Sequence, residues 1–331
     1  MRAGKAWPLV PSLFNSDSQL PITTRTTVKI FAGSEKHNVR HVARTLAIVV
    51  CALSTSVIGQ DGRPLTVTSS SPTLSPGSVV LLTVKVSGPM TSLTGQAFGR
   101  PVRFWEAAPR EWRGFVAADL ERKPGVYGVD VIGVDASGLT SNSKTTLTVV
   151  RKQFETRRLK VGGEFVNPPP AEAERIASDA RRLAEIFTHT TPRAWRGAFQ
   201  VPVPGTATSS FGRLSVLNGE PRGRHQGADF RAATGTPVVA PNAGRVVLAE
   251  DLYFSGNTVV IDHGLGMFSL LAHLSRIDVM AGSDVARGEK LGLSGATGRV
   301  TGPHLHWALR LSEFSVDPLA VVAVLSDLKE D

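Results

Sequence analysis

The stretch Asn257-Thr-Val-Val-Ile-Asp262 decides the fold of the last third of the chain, because it is a β-branched run between Gly256 and Gly264. Short runs of this composition between glycines are typical of strands joined by tight turns. Four neighbouring segments also read as short strands next to glycine turns, which are Gly235–Ala240, Gly244–Leu248, Met267–Ala272 and Lys290–Leu293. The sequence therefore predicts a mainly β protein whose C-terminal third is a β-sheet domain with little helix.

The same third of the chain holds five of its eight histidines. Two pairs have short spacing: His225 and Asp229 are four residues apart, and His304 and His306 are two residues apart. Because side chains alternate along a strand, His304 and His306 are expected to share one face. Two imidazoles and one carboxylate with an open fourth position form the ligand set of a catalytic zinc site.

Glycines around the first pair bear on its local structure. A spacing of four residues would place His225 and Asp229 on one face of a helix, but Gly223 and Gly227 favour a loop or a strand end.

Residues 205–322 resemble the lysostaphin-type zinc metallopeptidases, also called LytM domains. The segments that carry the resemblance are Ser210-Phe-Gly212, Asn218-Gly219, His225-Gln-Gly-Ala-Asp229, Gly235-Thr-Pro-Val238, Gly256-Asn-Thr-Val-Val-Ile-Asp-His-Gly264, Ala272-His-Leu-Ser275, Gly295-Ala-Thr-Gly298, Thr301-Gly-Pro-His-Leu-His-Trp307 and Val316-Asp-Pro318. The resemblance does not extend to residues 1–200. It implies a small antiparallel β domain that acts on the peptide part of bacterial peptidoglycan.

By position, the resemblance implies that His225, Asp229 and His306 hold one zinc ion per chain. It also implies that His304 and His273 flank the fourth position, with His304 as general base and His273 as stabiliser of the intermediate, although the two could exchange roles. Zinc lowers the pKa of water towards about 7. A neutral imidazole can accept the proton of that water and pass it to the leaving amine.

The sequence also predicts roles for four other residues of this region. His263 is expected to be a strand-end residue and Asp262 a structural carboxylate, not ligands. Asn257 could orient substrate or cap a turn, and the turn is favoured. Many relatives have Tyr-Ala-His where this chain has Leu271-Ala272-His273, so the chain is expected to lack a hydroxyl near the cleft.

Residues 64–150 are predicted to form an immunoglobulin-like β-sandwich. The β-branched run Val79–Val86 and the alternating stretch Gly125–Asp135 lie between turn-rich segments, as in sandwich folds. Trp105 and Trp112 are expected to pack in a core or cover an edge. Cys51 is the only cysteine, which excludes an intramolecular disulfide and a cysteine-based zinc site.

Residues 151–194 are predicted to be a linker that contains a helix over 171–188. Apolar residues recur there at spacings of three and four, between Pro168-Pro-Pro170 and Pro192. His189 at the end of this helix is expected to be a surface residue. The peptidase domain is expected to span residues 195–325.

Residues 1–60 are predicted to be a disordered N-terminus followed by a signal peptide or a signal anchor. A basic flank, Arg40–Arg44, precedes the apolar run Leu46–Leu53 and a small-residue end. Two alternatives remain open: translation begins near Val39 and the signal is cleaved, or residues 45–59 stay in the membrane as an anchor. Both place the protein in the periplasm or cell envelope.

The net charge of +9 and the pI of about 10.1 fit an anionic environment such as a cell wall. The sequence has no arginine-rich helix and no interleaved aromatic platform, which disfavours nucleic-acid binding. The leading hypothesis is an exported zinc metalloendopeptidase of peptidoglycan peptides. The alternatives are a LytM-type regulator that activates another wall hydrolase without cleaving, and a wall-binding protein. A monomer is expected, with residues 64–150 available for contact with an envelope protein.

Overall fold

The structure is a computed structural model that describes residues 64–160 and 168–326. These residues form a mainly β protein. The signal or anchor predicted within residues 1–60 lies outside the described residues. Within the described ranges, no helix combines the length and the apolar character needed to cross a membrane.

The described residues form short to medium strands and two α-helices. In chain order the strands and helices are β1 (Leu65–Ser69), β2 (Thr73–Leu74), β3 (Val79–Val86), β4 (Ser92–Ala97), β5 (Arg100–Ala108), β6 (Glu111–Ala117), β7 (Gly125–Val134), β8 (Thr140–Val149), β9 (Thr156–Leu159), α1 (Ala173–Ile186), β10 (Ala207–Ser209), β11 (Leu214–Leu217), β12 (Glu220–Arg224), β13 (Ala228–Phe230), β14 (Pro237–Val239), β15 (Gly244–Leu252), β16 (Gly256–Gly264), β17 (Met267–Ile277), β18 (Asp284–Val285), β19 (Lys290–Ser294), β20 (Leu305–Leu311), β21 (Phe314–Val316) and α2 (Pro318–Leu325).

Strands β1–β8 form one eight-stranded sheet, which we call the N-terminal sheet. Its strand order is β1-β3-β6-β5-β4-β7-β8-β2. Every pairing is antiparallel except that of β2 with β8. The strands predicted from the runs at 79–86 and 125–135 are present as β3 and β7.

A second sheet of ten strands, the C-terminal sheet, carries the predicted peptidase region. Its main path is β10-β13-β20-β17-β16-β15-β18, while β19 joins β14 to β17 and β21 pairs with β20. All of these pairings are antiparallel. The β-branched run Asn257–Asp262 lies within β16, whose side chains are almost all buried.

The segment predicted to be a linker is part of the body that contains the C-terminal sheet. Strand β9 pairs in parallel with β11, and β11 pairs with β12, which makes a small third sheet. Helix α1 follows a 3-10 turn at Pro170–Glu172 and is shorter at both ends than the predicted 171–188. Next to α1, Phe187 packs edge-to-face on Phe268, with ring centroids 5.4 Å apart.

The two large sheets share one hydrophobic core. Val79, Leu81 and Trp105 of the N-terminal sheet belong to the same buried cluster as Trp195 and the C-terminal strands. Trp105 meets Trp195 edge-to-face with ring centroids 5.0 Å apart, a geometry that contributes about 0.5–1.5 kcal/mol beyond burial. Trp105 is thus a core residue, as predicted, and the N-terminal sheet is packed against the C-terminal sheet.

His263 is fully buried in β16 as a neutral imidazole. Its Nδ1 donates to the carbonyl of Ala243 at 2.8 Å, and its Nε2 accepts from the hydroxyl of Ser269 at 2.9 Å. Burial lowers the pKa of His263 to about 4, although the bond to Ala243 opposes this effect. Asp262 accepts from the hydroxyl of Thr191 at 2.8 Å. Both residues are structural, as expected.

The pKa of His263 has a consequence for acid stability. An unfolded His263 takes up a proton as the pH falls through about 6.5, but the folded protein resists protonation down to about pH 4. The free energy of unfolding therefore falls between these two pH values and is unaffected by this group above pH 6.5. We expect His263→Gln to reduce that fall by about 3 kcal/mol, measured by urea denaturation at pH 4–7.5.

The matched control for this experiment is His189→Gln, which removes an exposed imidazole just beyond α1. The control should keep the wild-type dependence on pH. An unchanged slope in His263→Gln would contradict the buried neutral state of His263.

Candidate metal centre

The centre of the site is a cross-strand pair. In the antiparallel pairing of β13 with β20, Asp229 lies directly opposite His306. The neighbours of Asp229, Ala228 and Phe230, are buried in the core, and so is Trp307 next to His306. Since side chains alternate along a strand, burial of these neighbours turns Asp229 and His306 to the other face of the sheet.

His225 reaches the same point from the loop after β12. Its backbone is fixed on both sides, because its N–H donates to the carbonyl of Arg213 at 2.9 Å and its carbonyl accepts from Gly212 at 2.7 Å. Its Nδ1 donates to the carbonyl of Ser210 at 3.1 Å, which directs Nε2 into the cluster. The prediction of a loop or strand end around His225 is confirmed.

Three candidate ligand atoms lie within one small space. His225 Nε2 lies 3.0 Å from Asp229 Oδ1 and 3.1 Å from His306 Nδ1, and His306 Nδ1 lies 2.9 Å from Asp229 Oδ1. A tetrahedral zinc with bonds of 2.0–2.1 Å would separate its ligand atoms by roughly 3.3 Å, so the triangle is close to that size. These three residues form a group that could hold a metal ion.

The donor chemistry of the cluster also fits a cation. In neutral His225 the single N–H, at Nδ1, donates to the carbonyl of Ser210. The Nε2 atom therefore presents a lone pair to the carboxylate of Asp229. Two acceptors at 3.0 Å repel each other unless a proton or a metal ion lies between them. The cluster is therefore completed by positive charge.

The ionisation of the cluster agrees with metal binding. Burial raises the pKa of Asp229, but its polar contacts with the imidazoles of His225 and His306 lower it more, so the pKa lies well below its usual range. Burial lowers the pKa of His306, although the bond to Asp229 opposes this. A charged carboxylate and neutral imidazoles are the forms that bind metal ions.

Two further histidines flank the cluster. The rings of His273 and His304 have centroids 4.8 Å apart, and His304 Nε2 lies 3.8 Å from Asp229 Oδ1. Each ring is held by a backbone carbonyl that accepts from Nδ1, Thr297 at 3.0 Å for His273 and Gly302 at 2.8 Å for His304. In the neutral form of either ring, the Nε2 atom is therefore the proton acceptor.

His273 owes its orientation to a β-bulge. Ala272 and His273 of β17 together lie opposite the single residue Thr258 of β16, and His273 has φ +65°. This left-handed conformation is rare for a residue with a side chain and recurs at functional sites. Burial and the nearby His306 and His304 lower the pKa of His273 to about 3, so it is neutral at physiological pH.

The bulge also separates Leu271 from the site. Without it, Leu271 and His273 would share a face of β17, but Leu271 is completely buried in the hydrophobic core. Leu271 therefore does not line the cleft, although the chain does lack a hydroxyl at this position, as expected. Asn257 lies within β16, and its amide donates to the carbonyl of Leu274 at 3.1 Å, so it joins two strands and does not cap a turn.

Sequence reasoning missed the residues that hold the site through backbone atoms or by lacking a side chain. The carbonyls of Ser210, Thr297 and Gly302 orient three histidines, and a carbonyl leaves no trace in residue type. Gly227 was expected only to favour a loop. A Cβ there would lie 2.5 Å from the carbonyl oxygen of Trp307 and 2.8 Å from His306 Nε2, so the close approach of the loop to β20 requires glycine.

Arg213 is a further neighbour of the site that the sequence did not single out. Its guanidinium lies 4.0 Å from Asp229 Oδ2, on the carboxylate oxygen that does not face the histidines. The sequence signal for this contact is weak, because Arg213 is one of many arginines in a basic chain.

Comparison with known proteins gives the site its family context. The sequence profile of Peptidase family M23 matches residues 223–318. A solved structure described as a putative peptidase M23 from Pseudomonas aeruginosa is 31% identical, with a TM-score of 0.59, and the match covers 77% of this chain and 96% of that one. The mainly β fold and the metal-competent cluster are those of a metallopeptidase. The chain belongs to peptidase family M23.

Two curated relatives indicate the chemistry of the family. The peptidoglycan DD-endopeptidase ShyA of Vibrio cholerae is 49% identical over 85 residues, which are 26% of this chain and 20% of ShyA. The DD-carboxypeptidase/endopeptidase Mpg of Neisseria meningitidis is 39% identical over 106 residues, which are 32% of this chain and 24% of Mpg. The match thus spans about a fifth to a quarter of the length of these curated relatives.

The close approach at Gly227 can be tested directly. Gly227→Ala would push His306 and the backbone at Trp307 away from the loop. We expect zinc affinity to fall about 10- to 100-fold, as for other changes that misplace a ligand, measured by competition with a chromogenic chelator. Gly128→Ala on β7 is the control, because a Cβ at Gly128 meets nothing within 4 Å. Equal zinc affinities in the two variants would contradict this role of Gly227.

Proposed function

We propose that this protein is a zinc metalloendopeptidase that hydrolyses peptide bonds of bacterial peptidoglycan. One observation carries the proposal: His225, Asp229 and His306 converge within 3.1 Å of one another, and two further histidines, His273 and His304, flank them. We propose the first three as ligands of one zinc ion. Family membership supports a cell-wall peptidase, and the names of ShyA and Mpg support a DD-peptide bond in peptidoglycan as the target.

The residues of the chain divide the work of hydrolysis. Zinc, when bound, would supply Lewis acidity that polarises a carbonyl and lowers the pKa of water towards neutrality. His304 is the proposed general base: Gly302 holds its Nδ1 proton, so its Nε2 accepts a proton and later returns it to the leaving amine. Asp229 contributes a fixed negative charge, because its pKa lies well below its usual range.

His273 has a more restricted role than the resemblance implies. With its Nδ1 proton held by Thr297 and its pKa lowered to about 3, it begins the reaction as a neutral acceptor. A divalent cation nearby would lower that pKa further. His273 can therefore stabilise an oxyanion by charge only after it has taken a proton during the reaction. An exchange of roles, with His273 as general base and His304 as stabiliser of the intermediate, is compatible with this geometry.

Two features of the remaining chain are part of the proposal. We propose residues 64–150 as an immunoglobulin-like sandwich. In the immunoglobulin fold, one sheet contains strands A, B, E and D and the other contains C, F and G. The strand orders β1-β3-β6-β5 and β4-β7-β8 match these two sheets, which supports the proposal. We further propose an exported, envelope-located monomer, with 195–325 as the peptidase domain. The names of the relatives as peptidoglycan enzymes support the location.

Loss of a ligand should remove both metal and activity. We expect His306→Ala to bind less than one zinc per chain and to release no fragments from purified peptidoglycan, because the triangle keeps only two ligand atoms. Zinc would be measured by atomic emission and fragments by mass spectrometry, which would also identify the bond. His189→Ala, an exposed histidine outside the cluster, should behave as wild type. A wild-type protein with one zinc that leaves peptidoglycan intact would favour the regulator hypothesis.

Loss of the general base should lower the turnover rate without loss of bound zinc. We expect His304→Ala to keep one zinc per chain but to lower kcat about 100- to 10,000-fold, the usual contribution of general acid–base catalysis. The comparison of zinc content with single-turnover rates checks this. Loss of zinc in His304→Ala, with retention in His306→Ala, would show that the two histidines are assigned the wrong way round.

A further inference from the structure

The loop that carries His225 is supported from outside the segment that matches the family. Phe211, two residues before Arg213, is buried, and its ring lies directly on Gly77, in the turn between β2 and β3 of the N-terminal sheet. A Cβ at Gly77 would lie 2.3 Å from Phe211 Cε1. Gly77 itself is fixed, because its N–H donates to the carbonyl of Ala118 at 2.7 Å and its carbonyl accepts from Asp317 at 2.8 Å.

A second support comes from the segment that follows the N-terminal sheet. A Cβ at Gly212 would lie 2.1 Å from Cε1 of Phe154, so this aromatic ring covers the Gly212 backbone. Arg224 closes the arrangement, since its Nη1 donates to the Gly212 carbonyl at 3.1 Å and its guanidinium lies 5.1 Å from the Phe154 ring centre. Glu121 of the N-terminal region lies 3.6 Å from Arg224.

The residues held by these contacts bind His225 of the metal centre directly. Ser210 adjoins Phe211, and its carbonyl accepts from His225 Nδ1. Gly212 and Arg213 hold the backbone of His225 on both sides. A shift of residues 210–213 would therefore displace the His225 ring and its tautomer-fixing bond together. Carbonyl partners of ligating histidines fix ring orientation, and their loss weakens metal binding.

We propose that the N-terminal sheet, through Gly77, and the following segment, through Phe154, are positioning elements of the metal centre. They fix residues 210–213 and, through them, His225. The inference rests on the proposed function, in that His225 must be a zinc ligand. The N-terminal sheet is then a structural part of the peptidase site, not a spacer.

A pair of glycines offers a matched test in the full-length protein. Gly77 and Gly138 both have φ +83°, but a Cβ at Gly138 meets nothing within 4 Å. Gly77→Ala and Gly138→Ala thus introduce the same backbone strain, and only the first pushes on Phe211. We expect Gly77→Ala to lower zinc affinity at least about 10-fold, while Gly138→Ala keeps the wild-type affinity. Chelator competition measures affinity, and thermal unfolding of the metal-free proteins reports the shared strain.

Phe154 provides a second variant that adds no strain. We expect Phe154→Ala to weaken zinc binding about 10-fold and Phe154→Leu, which keeps an apolar cover over Gly212, to restore most of it. Wild-type affinity in both Gly77→Ala and Phe154→Ala would overturn the inference, and so would an equal loss in Gly138→Ala. A His225→Ala variant that binds zinc like wild type would instead refute the proposed ligand set, and the inference with it.

Discussion

The antiparallel pairing of β13 with β20 is the constraint on which the rest of the site depends, because it places Asp229 opposite His306. A slip of one residue would turn every side chain of a strand to the opposite face. Here such a slip would bury the carboxylate and expose Phe230, and burial of an unpaired charge costs several kcal/mol. The apolar residues on either side thus fix the register, and the register fixes the metal-binding geometry.

The site is built from hydrogen-bond acceptors that face one another. Three imidazoles direct an Nδ1 proton to a backbone carbonyl, those of His225, His273 and His304, and each thereby presents a lone pair at Nε2. Backbone carbonyls cannot rotate away as side chains can, so the tautomers are set by the fold itself. Preorganised polarity of this kind is a main source of catalytic power in enzymes, since little reorganisation remains for the reaction step.

Much of the C-terminal region could be predicted from sequence because its signals are local. β-branched runs between glycines predicted β15 and β16, and short spacing within two pairs singled out His225, Asp229, His304 and His306, which the fold brings together. The choice of His306 over His304 as the third ligand came from the resemblance to a known family. Strands β4–β6 carry glycine, arginine and alanine in place of such runs, and the pairings of β4 with β7 and of β6 with β3 join segments distant in sequence. The docking of Phe154 and the pairing of β9 with β11 are likewise tertiary, so the sequence of residues 151–194 resembles a linker. The bulge at His273 could not be predicted for a further reason: a histidine in a strand does not by itself indicate a positive φ.

At the bulge, the conformation of His273 lowers the stability of the fold but places the imidazole beside the metal centre. A side chain held at φ +65° costs on the order of 1–3 kcal/mol, a cost that glycine would escape. Glycine at this position would relieve the strain but would remove the imidazole on which the proposed function depends. Under the proposed function, the protein thus gives up part of its marginal stability at residue 273 to keep a chemical group in place.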